Sequence, residues 1–173
     1  MPTVVSHALV AVTAGALANV DRRTIGWAVA CSMLPDLDVL GYYFGVPLHH
    51  PLGHRGFTHS LVFAAALALA VARAGLGVRF ADRRFPRLAA LLFLVTASHG
   101  VLDAFTEAWL GIAFFWPFDD TRYLFPWRPL EVSDFIDTFF GERGIEVAWS
   151  EAKWIGVPCA VLLALRAFSR RAG

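Results

Sequence analysis

Charge is scarce in this chain. Of its 173 residues only 17% are Asp, Glu, Lys or Arg, and the formal net charge is +1. A balance that near zero gives a nucleic-acid partner no electrostatic support. Cysteine is scarce too. Cys31 and Cys159 both lie in apolar stretches, far apart, so neither a metal knuckle nor a redox pair is spelled out. A basic leader followed by a small-residue cleavage site is missing, so the first apolar stretch is expected to stay in the protein. No internal repeat, linker or low-complexity tract breaks the chain, which reads as a single domain over 1–173.

What fills the chain instead is apolar. Hydrophobic residues make up 57% and mean hydropathy is +0.57. A soluble domain carries about 45–50% apolar and about 25% charged residues. A chain of this size has too little interior to hide so much apolar surface. The expected class is all-α, an integral membrane bundle of about five helices.

The helices read as 4–20, 24–34, 58–77, 88–110 and 150–169. The last three are long enough to cross about 30 Å of hydrocarbon, and the first two are borderline. Residues 111–150, crowded with aromatics such as FFWPFDD and YLFPW, are expected to form an extramembrane segment. Arginines collect at Arg22–Arg23, from Arg79 to Arg87, and from Arg166 to Arg171. These lie at alternate ends of successive helices and can share the cytoplasmic side. Five crossings of the membrane follow, with the 35–57 loop and 111–150 on the external side, outside the cytoplasm.

Polar groups stand where such helices should have none. His99 and Asp103 are four apart and share a helix face. His7, Asp36 and His59 interrupt other apolar stretches. Measured from the basic turns at about 1.5 Å per residue, His7, Asp36 and His99 lie about 17–18 Å up, Asp103 about 22 Å and His59 about 27 Å. Unrelated core histidines have no reason to agree in height. Three imidazoles and two carboxylates, with no thiolate, suit zinc first, then manganese or iron. Five ligands are enough for one ion or two, with Asp103 able to bridge. His54 is a further metal-ligand candidate. Asp38, two residues from Asp36, is expected to partner a histidine or to act in catalysis. Arg55 is a candidate for holding an anionic substrate group, and Glu107, one turn beyond Asp103, a candidate general acid or base.

The segments SHALVA at 6–11, LPDLDVL at 34–40, HRGFTHSL at 54–61 and SHGVLDAFT at 98–106 resemble the YdjM-like family of inner-membrane proteins, described as membrane-bound metal-dependent hydrolases. That family is in turn similar to zinc-dependent phospholipase C and P1-type nuclease, whose order of ligands, His, Asp, His, then His-x-x-x-Asp, is matched by His7, Asp36, His59, His99 and Asp103. Those soluble enzymes add a later His…His-x-x-x-Glu set. No histidine follows His99 here, so a three-zinc cluster is not expected. The resemblance implies a hydrolase acting on a phosphoester or ester of a lipid or lipid-linked substrate. The rival class is a non-catalytic membrane protein with a structural, transport or sensing metal.

Overall fold

The computed structural model describes residues 2–133 and 140–172. Five helices organise them: α1 (Val4–Leu17), α2 (Arg22–Met33), α3 (Leu61–Ala70), α4 (Phe85–Ala104) and α5, which runs as Glu142–Glu151, a π turn at Ala152–Gly156, and Val157–Ala172. There is no β-strand among the described residues; two isolated bridges, Thr106 with Leu130 and Ile112 with Tyr123, are the only extended pairing there.

Local chemistry sets the boundaries. The Asp21 carboxylate accepts from the Thr24 N–H at 2.7 Å and starts α2. Pro35 has no N–H to donate, and α2 gives way to a 3-10 turn over Leu34–Val39. The Ser60 hydroxyl accepts from the Phe63 N–H at 3.1 Å and starts α3. Pro86 occupies the first turn of α4, where an absent N–H costs nothing.

The core between α1, α2, α3 and α4 mixes small residues, Ala11, Ala28, Ala68, Ala72 and Ala89, with larger ones such as Phe85, Leu91, Leu92 and Val95. Small side chains let apolar helices approach closely. At Gly15 the approach is so close that an added Cβ would lie 2.8 Å from the Ile25 side chain. A second cluster joins Ile155 and Cys159 of α5 to Leu130, with Leu9, Val10, Leu102 and Phe105 packed against it.

Two helical stretches, Phe85–Ala104 and Glu142–Arg171, are long and apolar enough to cross a membrane; the buried shares of their apolar windows are 33% and 11%. Most of both faces outward, as in a helix solvated by lipid rather than by a protein core. Helix α3 departs from the sequence expectation. Phe57–His59 form a separate 3-10 turn and Ser60 caps α3 afterwards, leaving ten α-helical residues and a π turn at Val71–Gly75. That is shorter than a full span. The 111–150 segment also divides, since α5 already begins at Glu142.

The basic clusters meet at one end of the bundle. Arg23 donates to the Gly75 carbonyl, Arg87 to the Ala18 carbonyl, and Arg166 and Arg170 to the Asn19 side chain.

Candidate metal centre

At the other end of the bundle the misplaced polar residues converge. His7 comes from α1, Asp36 from the 3-10 turn after α2, His59 from the turn before α3, and His99 and Asp103 from α4. All five are buried; His99 and Asp103 are 0% exposed and Asp36, the most open, 5%. Asp36, His59, His99 and Asp103 each offer a ligand atom, all within 4.8 Å of one another. His7 stacks on His99 with ring centroids 3.8 Å apart, and its Nε2 is 3.7 Å from Asp103 Oδ1.

Gly100 makes room for this. A Cβ there would lie 3.1 Å from the His59 carbonyl oxygen, so the turn carrying His59 rests directly on the α4 backbone.

The hydrogen bonds around the cluster fix which nitrogens face inward. His99 Nδ1 is 2.7 Å from the Ser32 carbonyl. A carbonyl only accepts, so Nδ1 carries the proton and the Nε2 of a neutral ring presents its lone pair. That Nε2 lies 3.2 Å from Asp36 Oδ1 and 3.2 Å from His59 Nε2. His59 Nε2 is also 3.6 Å from Asp103 Oδ2. Both oxygens of Asp36, both oxygens of Asp103 and both nitrogens of His7 are buried without a hydrogen-bond partner. Buried acceptors turned on one another are costly unless a positive charge stands among them. The residues present therefore fit a divalent cation through an N/O donor set with no thiolate.

His59, which lies in the turn ahead of α3, shows the same demand. Burial disfavours its charged form, but the Asp103 and Asp38 carboxylates beside it outweigh that and raise it to about 9. Without a metal, a proton supplies the charge there.

Asp38 stands behind His59. Its Oδ2 is 3.1 Å from His59 Nδ1 and accepts from the Thr58 hydroxyl at 2.5 Å and from the Arg55 N–H at 3.2 Å. Its Oδ1 is 2.7 Å from His54 Nδ1. Burial pushes the Asp38 carboxyl up, but the bonds from His54 and His59 prevail and hold it well below the usual carboxylate range. A carboxylate on the far nitrogen of a ligating histidine orients the ring.

His54, read as a metal ligand, belongs to a second group, with Asp38 and His59, whose ligand atoms also lie within 4.8 Å of one another. Two candidates sit differently from the sequence expectation. Arg55, read as a substrate clamp, is 1% exposed. Its Nε is 3.3 Å from Asp103 Oδ2, and its other nitrogens donate to the Leu110 carbonyl at 2.6 Å and to Thr106 Oγ1 at 3.1 Å. It neutralises Asp103 from behind, and its backbone holds the left-handed conformation at φ 63°. Glu107, read as one helical turn above Asp103, is not on that face, because α4 ends at Ala104. The Thr106 hydroxyl donates to the Asp103 carbonyl at 2.6 Å, and Glu107 turns outward to pair with Arg143.

Arg122 is a residue the sequence gave no reason to single out. Its guanidinium donates to the carbonyls of His49, His50, His54, Arg55 and Gly111, and so ties the loop ahead of His59 to the 111–123 segment. Nothing in an isolated arginine among aromatics announces five carbonyl partners from two distant loops.

The sequence profile of the family described as YdjM inner membrane protein matches residues 1–172. The inner membrane protein YbcI of Escherichia coli (strain K12) is 35% identical over 180 residues, covering 99% of this chain and 100% of that protein. No solved structure matches the chain.

Proposed function

The chain belongs to the YdjM family of inner membrane proteins, and from that premise we propose that it is a membrane-embedded metal hydrolase acting on a phosphoester or other ester of a lipid or lipid-linked molecule. One observation carries the metal: two inward imidazole nitrogens 3.2 Å apart, flanked by two buried carboxylates whose oxygens make no hydrogen bond and of which Arg55 balances only Asp103. Asp36, His59, His99 and Asp103 would hold the ion, zinc first by donor chemistry, with His7 at its edge. A divalent ion bound there supplies a Lewis acid and an activated water. The ester substrate class is supported by the position of the site in a membrane bundle and by the motif resemblance.

The chain's own groups prepare the site. The Ser32 carbonyl fixes the His99 tautomer, Asp38 orients His59, and Arg55 balances the Asp103 charge. With Glu107 turned away, proton handling passes to the Asp38–His54 pair. His54 has 15% of its side chain exposed and is the titratable end of that chain of contacts nearest to solvent. The basic clusters at the opposite end of the bundle support a cytoplasmic placement of that end and an external one for the site.

Burial favours a second reading, a structural ion that pins α1, α2, α3 and α4 together, because none of the five residues exceeds 5% exposure. The two part in one experiment. Purified protein in detergent is assayed for metal and for turnover on chromogenic phosphodiesters and short-chain esters, with His99→Ala as control. Metal-dependent turnover that vanishes in His99→Ala supports the hydrolase. Metal without turnover on any substrate, together with a collapse of thermal stability on chelation, supports the structural ion.

A further inference from the structure

Helix α1 carries His7 to the cluster, yet its own capping residue does little to place it. Thr3 makes no side-chain cap to α1. The cap comes from the far end of the chain. Glu151, only 6% exposed, accepts from the Thr3 N–H at 2.5 Å, from the Thr3 hydroxyl at 2.6 Å and from the Ser6 hydroxyl at 2.6 Å. A carboxylate at a helix N-terminus satisfies free N–H groups and meets the positive end of the helix dipole. Glu151 stands immediately before the π turn of α5, and insertions of this kind often occur at functional sites.

His7 has nothing of the sort. Neither of its nitrogens has a hydrogen-bond partner; only the stack on His99 and the approach to Asp103 locate the ring. The remaining packing of α1 against α5 is apolar, Leu9 and Val10 against the cluster of Ile155 and Cys159, and apolar contact is not directional. Ser6 and His7 are adjacent, hence about 100° apart around the helix. A bond that fixes the direction of Ser6 therefore fixes the direction of His7.

We infer that Glu151 is a positioning residue for the metal centre: through Thr3 and Ser6 it sets the rotation and depth of α1, and so holds the His7 imidazole against His99 and Asp103. The inference rests on the metal reading for its consequence in binding, but the placement of His7 is independent of metal.

The test uses full-length protein in detergent. Metal-free wild type, Glu151→Gln and Ser6→Ala are treated with diethylpyrocarbonate, and modified histidines are mapped by mass spectrometry. His7 should be protected in wild type and react several-fold faster in Glu151→Gln, and less so in Ser6→Ala, while His99 stays protected in all three. Zinc titration then compares Glu151→Gln, His7→Ala and the double variant. Each single change should weaken binding by roughly 10-fold, the scale of an outer partner of a ligand, and the double should be no weaker than His7→Ala alone. His7 protected equally in all three proteins, or losses that add in the double variant, would overturn the inference and leave Glu151 a helix cap only. If Glu151→Gln does not fold, Ser6→Ala and its double with His7→Ala decide the matter by the same two readouts. If wild type binds no zinc, the metal reading fails, and the labelling still decides whether Glu151 places His7.

Discussion

His59 and His99 meet Nε2 to Nε2 at 3.2 Å, while the opposite nitrogen of each ring is taken up, by Asp38 for His59 and by the Ser32 carbonyl for His99. Two imidazoles so held share one charge between them. A proton on His59 supplies it in the metal-free protein, and a metal ion bound there would replace it. The remaining expectations follow from that exchange and from what surrounds it.

Purified protein should carry a divalent ion, and His99→Ala should lose most of it, since one of the two inward imidazole nitrogens disappears. Elemental analysis of the two proteins checks this. Equal metal content in both would remove α4 from the site.

Metal binding should release a proton. His59 is raised to about 9, so at pH 7 the metal-free ring is charged and must give up its proton to ligate. Apparent affinity should therefore rise with pH, by about tenfold per unit while the ring is still protonated, and flatten above about 9. Isothermal titration in buffers of different ionisation enthalpy counts the proton. An affinity that is level from pH 7 to 9 would contradict the assignment.

Asp38→Asn and Glu107→Gln should behave unlike one another. Asn at position 38 loses the charge that orients His59, and metal affinity should fall by about 10–100-fold. Glu107 pairs with the half-exposed Arg143, which Glu131 also reaches, so Gln there should keep metal and any turnover and cost only about 0.2–1 kcal/mol of stability. Metal titration and thermal melts separate the two. A large loss of turnover in Glu107→Gln with metal retained would return Glu107 to the site.

An introduced cysteine at Asp120 should be labelled by an impermeant thiol reagent from outside intact cells, and one at Arg84 should not, because the arginine clusters gather at the end of the bundle opposite the site. The reverse pattern would place the site on the cytoplasmic face.

The sequence made the convergence of His7, Asp36, His59, His99 and Asp103 legible, because polar groups in apolar helices announce themselves and depth can be counted from basic turns. It did not show where helices stop. Glu107 keeps perfect helical spacing from Asp103 on paper; the Thr106 hydroxyl, bonding back to the Asp103 carbonyl, ends the register that the spacing assumed. Helix α3 lost its first turn to the same kind of local competition, with Ser60 capping later than the apolar run suggests. Arg55 was legible as a cation beside the site but not as a buried one, since whether a guanidinium meets solvent or Asp103 depends on contacts fifty residues away. Arg122 and Glu151 act wholly through such distant contacts, and periodicity carries no trace of them.

The bond between Glu151 and Thr3 joins residues 148 positions apart. During synthesis the first helix therefore leaves the ribosome long before its partner exists. His7 lacks that support while α2, α3 and α4 are made, until the last helix of the chain follows. The anchor of His7 is thus the last of the cluster's supports to form, and an ion held by Asp36, His59, His99 and Asp103 would meet a fixed His7 only once the whole chain is made.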